Sequence, residues 1–172
     1  FRGTQKRPEG FPVLVIPQHD VMGNPTYSAI RYDVPWSPAN SDKLVRYLNP
    51  AGVGLRLDVP PRCVVGLRDP SRELWWTEGA KKADSLASHG VVAVNTPGVD
   101  AWRSPSSIPD LIGSGIAWKG RDERGQEFKR RVICAYDSDV LTKKNPRLAV
   151  QALARWLEQR GAEVYVVDWS AV

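Results

Sequence analysis

Two aspartates separated by a single residue follow an apolar run in the second half of the chain. Residues 132–136 are Val, Ile, Cys, Ala and Tyr, and Asp137, Ser138 and Asp139 come next. An apolar run of this length is typical of a parallel strand that is covered on both faces. If the strand continues to Asp139, the two carboxylates point the same way, about 6.6 Å apart along the chain. Open α/β sheets bind ligands at this end of their strands, so the pair indicates a ligand site.

Cation binding is the chemistry that two neighbouring carboxylates favour. Two negative charges about 4 Å apart repel by roughly 4 kcal/mol at an effective dielectric constant of 20, so they need a divalent cation or basic side chains between them. Mg²⁺ suits such a pair, because it takes oxygen ligands and usually binds one or two protein carboxylates together with phosphate oxygens. The alternative interpretation is that each aspartate caps the loop after the strand, and the triplet alone does not decide between the two.

A second acidic motif lies earlier in the chain, at the end of a similar run. Residues 73–78 have the composition of a strand and end in Glu78, which Gly79 follows. Residues 80–90 carry apolar side chains at positions 83, 86 and 87 and end in a glycine, as a short helix does. Residues 91–98 then predict another buried strand with a turn at its end.

The elements around the acidic motifs alternate between strand and helix. Beyond the aspartates, Asn145 is expected to cap a helix whose first residue is Pro146 and which ends at Gly161. Residues 162–168 predict the last strand. The alternation predicts an α/β fold, a parallel sheet with helices on both faces, and right-handed crossovers bring Glu78 to the same edge as the two aspartates.

This combination of motifs resembles the Toprim domain, which bacterial-type primases, type IA and II topoisomerases and some nucleases share. The similar features are Glu-Gly at a strand end, a helix, a strand, Asp-x-Asp and a second helix, over about residues 73–168. Thr-Glu-Gly-Ala-Lys-Lys-Ala-Asp at residues 77–84 is particularly similar to Toprim-like proteins of phages and plasmids. The resemblance implies that Asp137 and Asp139 bind Mg²⁺ or Mn²⁺, and that Glu78 binds a further ion or serves as a catalytic general acid or base.

The first part of the chain is similar to the basic subdomain that precedes Toprim in bacterial primases. An apolar strand over residues 13–17 ends in a proline, a strand bearing Arg31 follows, and Arg46, Tyr, Leu and Asn49 come later. By this resemblance Arg31, Arg46 and Asn49 contact a single-stranded DNA template or the incoming nucleoside triphosphate. Because topoisomerases and nucleases lack this subdomain, the resemblance favours a primase.

The chain departs from the bacterial primase pattern at two places. Lys82 stands four residues after Glu78, where those primases usually have an acidic residue, and we expect Lys81 and Lys82 to contact phosphate instead of metal. Asp84 is two residues further along, and a helix would turn it to another face. Bacterial primases also have an acidic cluster after the last strand, which this sequence lacks. We therefore interpret residues 1–172 as a fragment that primes poorly or not at all by itself.

We expect two structural parts, a smaller mixed or β-rich basic subdomain over residues 1–70 and a Toprim domain, which is Rossmann-like, over residues 71–172. The predicted function is that of the catalytic core of a phage- or plasmid-type DNA primase, a nucleotidyltransferase that makes RNA primers on single-stranded DNA. Helicase or other replication domains are expected in the parent protein. Two alternatives stay open, a Toprim-type metal-dependent nuclease and a non-catalytic nucleic-acid-binding module.

Composition limits the other classes of protein. The 24 basic and 19 acidic residues give a net charge of +5, which suits a polyanionic partner. The two Cys and two His lack the spacing of zinc ligands, and no apolar run approaches the about 18 residues of a membrane span. A reducing, cytoplasmic location follows as an expectation.

Two further segments admit both a binding and a structural interpretation. Residues 121–131 concentrate charge, and a solvated hairpin or flexible loop is favoured there over a DNA contact. Of the seven Trp residues, Trp102 is the best candidate for stacking on a nucleic-acid base, although core packing is favoured for it as well.

Overall fold

The polypeptide builds two separate sheets, one in each half of the chain. The structure is a computed structural model that describes residues 12–37 and 44–169, apart from the side chains of Asp139 and Leu141. Both sheets and the helices lie within these ranges. The predicted α/β fold class, with a β-rich portion ahead of the α/β portion, is confirmed.

The first sheet has three antiparallel strands in the order β1-β2-β3. They are β1 (Val13–His19), β2 (Pro25–Trp36) and β3 (Val45–Leu48). Residues 20–24 make the turn between β1 and β2, in which the Asp20 carboxylate accepts the backbone N–H groups of Met22 and Asn24 at 2.8 and 2.9 Å. The turn holds the long β2 strand against β1 and leaves β3 as the opposite edge.

The second sheet contains five strands and is flanked by helices. The elements in chain order are α1 (Val64–Leu67), β4 (Leu74–Glu78), α2 (Ala80–Ser88), β5 (Val92–Thr96), α3 (Ile108–Ile112), β6 (Lys119–Arg121), β7 (Glu127–Ala135), α4 (Asp139–Thr142), α5 (Lys144–Gln159) and β8 (Ala162–Val166). Strands β5, β4, β7 and β8 are parallel neighbours in that order. All five residues of β5 are buried, as expected for a strand that is covered on both faces.

The sheet is mixed: its four predicted strands are parallel, as expected, and one further strand, which the sequence analysis did not predict, is antiparallel. Strand β6 pairs antiparallel with the start of β7, with Arg121 opposite Glu127. The turn between them is tight, because Asp122 accepts the N–H groups of Arg124 and Gln126 and Gly125 adopts φ +77°. The charged segment is therefore the solvated hairpin that the sequence favoured. Pairing with β6 extends β7 further towards the N-terminus than the apolar run alone indicates.

Helix α5 begins two residues earlier than predicted. Its first residue is Lys144, and the Lys143 side chain makes no capping hydrogen bond. Pro146 is tolerated at the third position because the N–H groups of the first turn have no partner within the helix. The prediction that Asn145 caps the helix is wrong for the same reason: a proline marks the first turn without fixing its first residue.

A single apolar core lies between the second sheet and its helices. Leu57, Val59 and Leu67, from the segment that joins the two sheets, are wholly buried in the same cluster as Trp76. Trp102 is 5% exposed, and its ring centroid lies 5.7 Å from that of Trp156. The packing interpretation of Trp102 is therefore confirmed.

Candidate active site

Glu78 is positioned by the turn that joins β4 to α2. It is the last residue of β4, and Gly79 has φ +89°, a conformation that only glycine adopts without strain. The Gly79 N–H donates to the Thr96 carbonyl at the end of β5, with an N···O distance of 3.2 Å. Glu78 is half-buried at the carboxyl end of the sheet, as the Glu-Gly motif predicts.

Asp137 lies at the same edge of the sheet but outside a strand. Strand β7 ends at Ala135, and Asp139 begins α4. The premise that the strand continues through both aspartates is therefore wrong, because the chain turns into a helix after Tyr136. The Asp139 side chain is outside the described part of the structure, so its role as a ligand stays a prediction.

A cleft of about 440 Å³ lies between the two sheets and gathers most of the predicted site residues. The five predicted residues that line it are Glu78, Asp137, Lys81, Lys82 and Asn49. The acidic groups lie at the ends of strands of the second sheet and the two lysines on helix α2, whereas the opposite wall is formed by the first sheet and by Asn49, which directly follows β3. The cleft therefore exists only because both sheets are in place.

Arg31 and Arg46 do not line the cleft. Arg31 lies on β2 opposite Tyr47, which does line it, and the Arg31 Nη1 atom is 3.7 Å from the Asp33 Oδ1 atom. Arg46 is exposed on β3. The two arginines thus lie on the first sheet, outside the lining of the cleft.

The Asp137 carboxylate forms an ion pair with Lys82. The Lys82 Nζ atom donates a hydrogen bond to the Asp137 Oδ1 atom, and the two side chains are 44% and 60% exposed. The sequence pattern indicated that Lys82 contacts phosphate and did not reveal this pairing. The available signal was the basic residue at a position where the resemblance described above leads one to expect an acid.

Two polar residues of the cleft escaped the sequence analysis. Gln18 on β1 and Asn95 on β5 are 3% and 1% exposed and line the cleft. The Asn95 Oδ1 atom is buried and accepts no hydrogen bond within the described structure. An asparagine inside an otherwise apolar strand was the available signal for the second of these residues.

Asp84 belongs to a different cavity, as its position on the helix predicts. A space of about 240 Å³ is lined by Asp84, Asp58, His19 and Lys81, among other residues. Burial raises the pKa of Asp84 and of Asp58, and His19 interacts with both carboxyl groups. The Lys81 side chain lies at the border between this cavity and the cleft.

The oxygen donors of the cleft fit a magnesium ion that takes its remaining ligands from water and phosphate. Glu78 and Asp137 line the same space, and Mg²⁺ usually binds only one or two protein carboxylates. Among the described side chains, no group of three or more His, Cys, Asp or Glu residues could hold an ion by itself. A metal here would therefore depend on ligands from its substrate.

Comparison with solved structures defines the class of fold. The chain is similar to the crystal structure of the Aquifex aeolicus primase containing its zinc binding and RNA polymerase domains, with a TM-score of 0.55 and 20% sequence identity. The match covers 90% of this chain and 33% of that chain, so the protein spans about a third of the length of the primase structure. The fold is therefore similar to that of this part of the primase structure.

Comparison at the level of sequence gives the family. The model of a domain of unknown function, DUF3854, matches residues 67–172, and the chain belongs to that family. The search of curated proteins gives no match. No helix in the described ranges is long and apolar enough to cross a membrane.

Proposed function

We propose that this chain is part of the catalytic core of a DNA primase, which joins nucleoside triphosphates into an RNA primer on a single-stranded DNA template. The observation that carries the proposal is the cleft between the two sheets, where Glu78 and Asp137 lie beside Lys81 and Lys82. Acidic groups that can hold a cation and basic groups that can hold phosphate are both needed for nucleotidyl transfer. A primase-related fold around this cleft supports the same function.

Each group of residues has a proposed role. Asp137 and Asp139 hold Mg²⁺ or Mn²⁺, and Glu78 binds a further ion or acts as general acid or base. When bound, the metal neutralises charge on the triphosphate and polarises its phosphorus–oxygen bonds. Lys81 and Asn49 contact the nucleotide. In this proposal residues 71–172 are a Toprim domain and residues 1–70 are the basic subdomain that precedes it.

The template is proposed to cross the first sheet. Arg46 is exposed on β3, and Arg31 lies on the neighbouring strand. The net charge of +5 favours a polyanion, since phosphate contacts dominate the affinity of proteins for single strands. Helicase or other replication domains in a longer parent protein are part of the same proposal.

Metal-dependent nucleotide binding tests the function directly. We expect a fluorescent ribonucleoside triphosphate to bind the 172-residue chain in the presence of Mn²⁺ and to bind much more weakly with EDTA. Asp137→Asn should weaken this binding at least about tenfold, because it removes a ligand of the ion. Glu123→Gln is the matched control, since it removes one exposed carboxylate from the hairpin turn, which lies at the opposite end of β7 from Asp137.

Two results would replace the proposed primase function with one of the alternatives. Metal-dependent degradation of single-stranded DNA that is lost in Asp137→Asn would indicate a nuclease. Binding of single-stranded DNA without any metal-dependent nucleotide binding would indicate a non-catalytic module. In the first case the cleft would keep its metal and only the reaction would differ from that of a primase, whereas in the second case the cleft would have no catalytic role.

A further inference from the structure

Lys82 lies in the cleft beside Asp137, a carboxylate that is proposed to bind a metal ion. It lies in the first turn of α2, one turn beyond Glu78, and its ammonium group donates to the Asp137 Oδ1 atom. Both side chains line the cleft, and both are partly open to solvent. The ammonium group thus supplies positive charge at the carboxylate that is expected to bind the ion.

An ammonium group and a divalent cation cannot use the same carboxylate oxygen without cost. A metal that approaches Asp137 must either displace the Lys82 Nζ atom or accept repulsion from it, because like charges in contact destabilise each other even where solvent screens them. Displacement also ends a hydrogen bond to a charged acceptor. The affinity for metal is therefore lower than the same carboxylates would give without Lys82.

We propose that Lys82 is a resident counter-ion that competes with the divalent metal for the Asp137 carboxylate. The proposal rests on the proposed function for the identity of the metal-binding residues. It assigns Lys82 a positioning role: the side chain neutralises Asp137 while the cleft lacks metal and sets how much metal is needed to fill it.

Lys81 is the natural control for this role. It is the adjacent residue of α2, carries the same charge and also lines the cleft. Successive helical residues point about 100° apart, and Lys81 borders the cavity that contains Asp58 and Asp84. Removal of its charge also takes one positive charge from the lining of the cleft, but it leaves the Lys82–Asp137 contact in place.

Mn²⁺ binding, followed through the electron paramagnetic resonance signal of the free ion, measures the competition. We expect Lys82→Gln to raise the Mn²⁺ affinity of the 172-residue chain about three- to tenfold at low ionic strength, the range of a partly exposed ion pair acting on a doubly charged ion. Lys81→Gln should change it less than twofold, and Lys82→Arg should leave it near the wild-type value. Thermal melts check that each variant is folded.

A double variant separates direct competition from a general effect of charge. If Lys82 acts through Asp137, the gain from Lys82→Gln disappears in the Asp137→Asn background. An unchanged affinity in Lys82→Gln, an equal gain in Lys81→Gln, or a gain that persists with Asp137→Asn would each overturn the proposal. So would the absence of Mn²⁺ binding by Lys82→Gln.

The outcome is independent of the test of the proposed function. A gain in Mn²⁺ affinity without any nucleotide binding would support the competition and contradict the primase-type activity. Metal-dependent nucleotide binding together with an unchanged Mn²⁺ affinity in Lys82→Gln would support that activity and contradict the competition.

Discussion

Arg130 shows how a fully buried guanidinium group is held by backbone carbonyls. Its side chain has no exposed surface and donates to the carbonyl oxygens of Gly66, Leu67 and Ala117, at 2.8, 2.6 and 3.2 Å. Burial lowers its pKa to about 10. The residue therefore ties β7, on which it lies, to the end of α1 and to the chain before β6.

We predict that Arg130→Met lowers the free energy of unfolding by at least about 2 kcal/mol. The substitution removes three hydrogen bonds from a charged donor, and such bonds contribute about 1.5 to 3 kcal/mol each. Two of the three carbonyl groups keep a backbone N–H donor, so the expected loss is smaller than the sum. Arg131→Met is the matched control: Arg131 pairs with Glu73, but its side chain is 52% exposed, so its loss should cost no more than about 1 kcal/mol. Urea unfolding of both variants measures the difference, and equal losses would show that the three carbonyl bonds contribute little.

At the scale of elements, the contact between the two sheets depends on Asp58. The backbone of Asp58 pairs with that of Asn95 on β5, while its carboxylate accepts the His19 N–H at 2.7 Å and the Asn95 side-chain amide at 2.5 Å. Asp58 is 3% exposed, and burial raises its pKa. One side chain thus joins the end of β1 to a strand that lines the cleft.

Two substitutions of Asp58 should distinguish the contribution of its hydrogen bonds to stability from the contribution of its negative charge. Asp58→Ala leaves two buried N–H groups unpaired and should lower the free energy of unfolding by about 1 to 3 kcal/mol. We expect Asp58→Asn to be as stable as the wild type at pH 7, since its amide can donate to the unpaired Asn95 Oδ1 atom once the Asn95 amide turns over. A loss as large as that of Asp58→Ala would contradict this.

The comparison of the wild type with Asp58→Asn also predicts the direction in which the free energy of unfolding changes with pH. Because the folded-state pKa of Asp58 is raised, the folded state binds its proton more readily than the unfolded chain does. The resulting stabilisation is present at acidic pH and is lost as the pH rises through the folded-state pKa. Relative to Asp58→Asn, the wild type should therefore gain stability as the pH falls from 7 towards 4. The difference between the unfolding free energies of the wild type and Asp58→Asn, followed over this pH range, gives the effect of the Asp58 charge together with its interaction with Asp84.

The elements that the sequence predicted well are those with an uninterrupted apolar signal. Strands β4, β5 and β8 and helix α2 follow the predicted positions, because buried parallel strands and a glycine-terminated helix leave plain patterns. The sequence favoured a solvated hairpin or flexible loop for residues 121–131, but it did not predict that this hairpin adds β6 to the sheet, since that pairing depends on the backbone and on the turn at Asp122 and Gly125. The end of β7 at Ala135 was also missed, because polar residues after a strand fit an extended strand and a new helix equally well.

At the scale of the whole molecule, the site was predictable only in part. Glu78 and Asp137 were found from the motif of the second sheet, and their common edge follows from the parallel topology. The Lys82–Asp137 pair and the contribution of Gln18 depend on how side chains from distant segments meet, and spacing along the chain does not encode such contacts. The two sheets must first come together before the cleft has a second wall.

The last prediction concerns the path of nucleic acid across both sheets. If single-stranded DNA passes from the cleft over β2 and β3, Arg31 and Arg46 each neutralise a phosphate, and Arg31→Ala or Arg46→Ala should reduce the slope of log affinity against log salt concentration by about 0.7. Arg124→Ala removes an exposed arginine from the hairpin turn and should leave the slope unchanged. Arg31→Lys keeps the positive charge and should therefore keep the wild-type slope. If it does, the reduced slope of Arg31→Ala reflects a lost phosphate contact and not a loss of folding. Fluorescence anisotropy at several salt concentrations gives the slopes of the wild type and the four variants. Equal slopes for the wild type, Arg31→Ala and Arg46→Ala would place the DNA elsewhere.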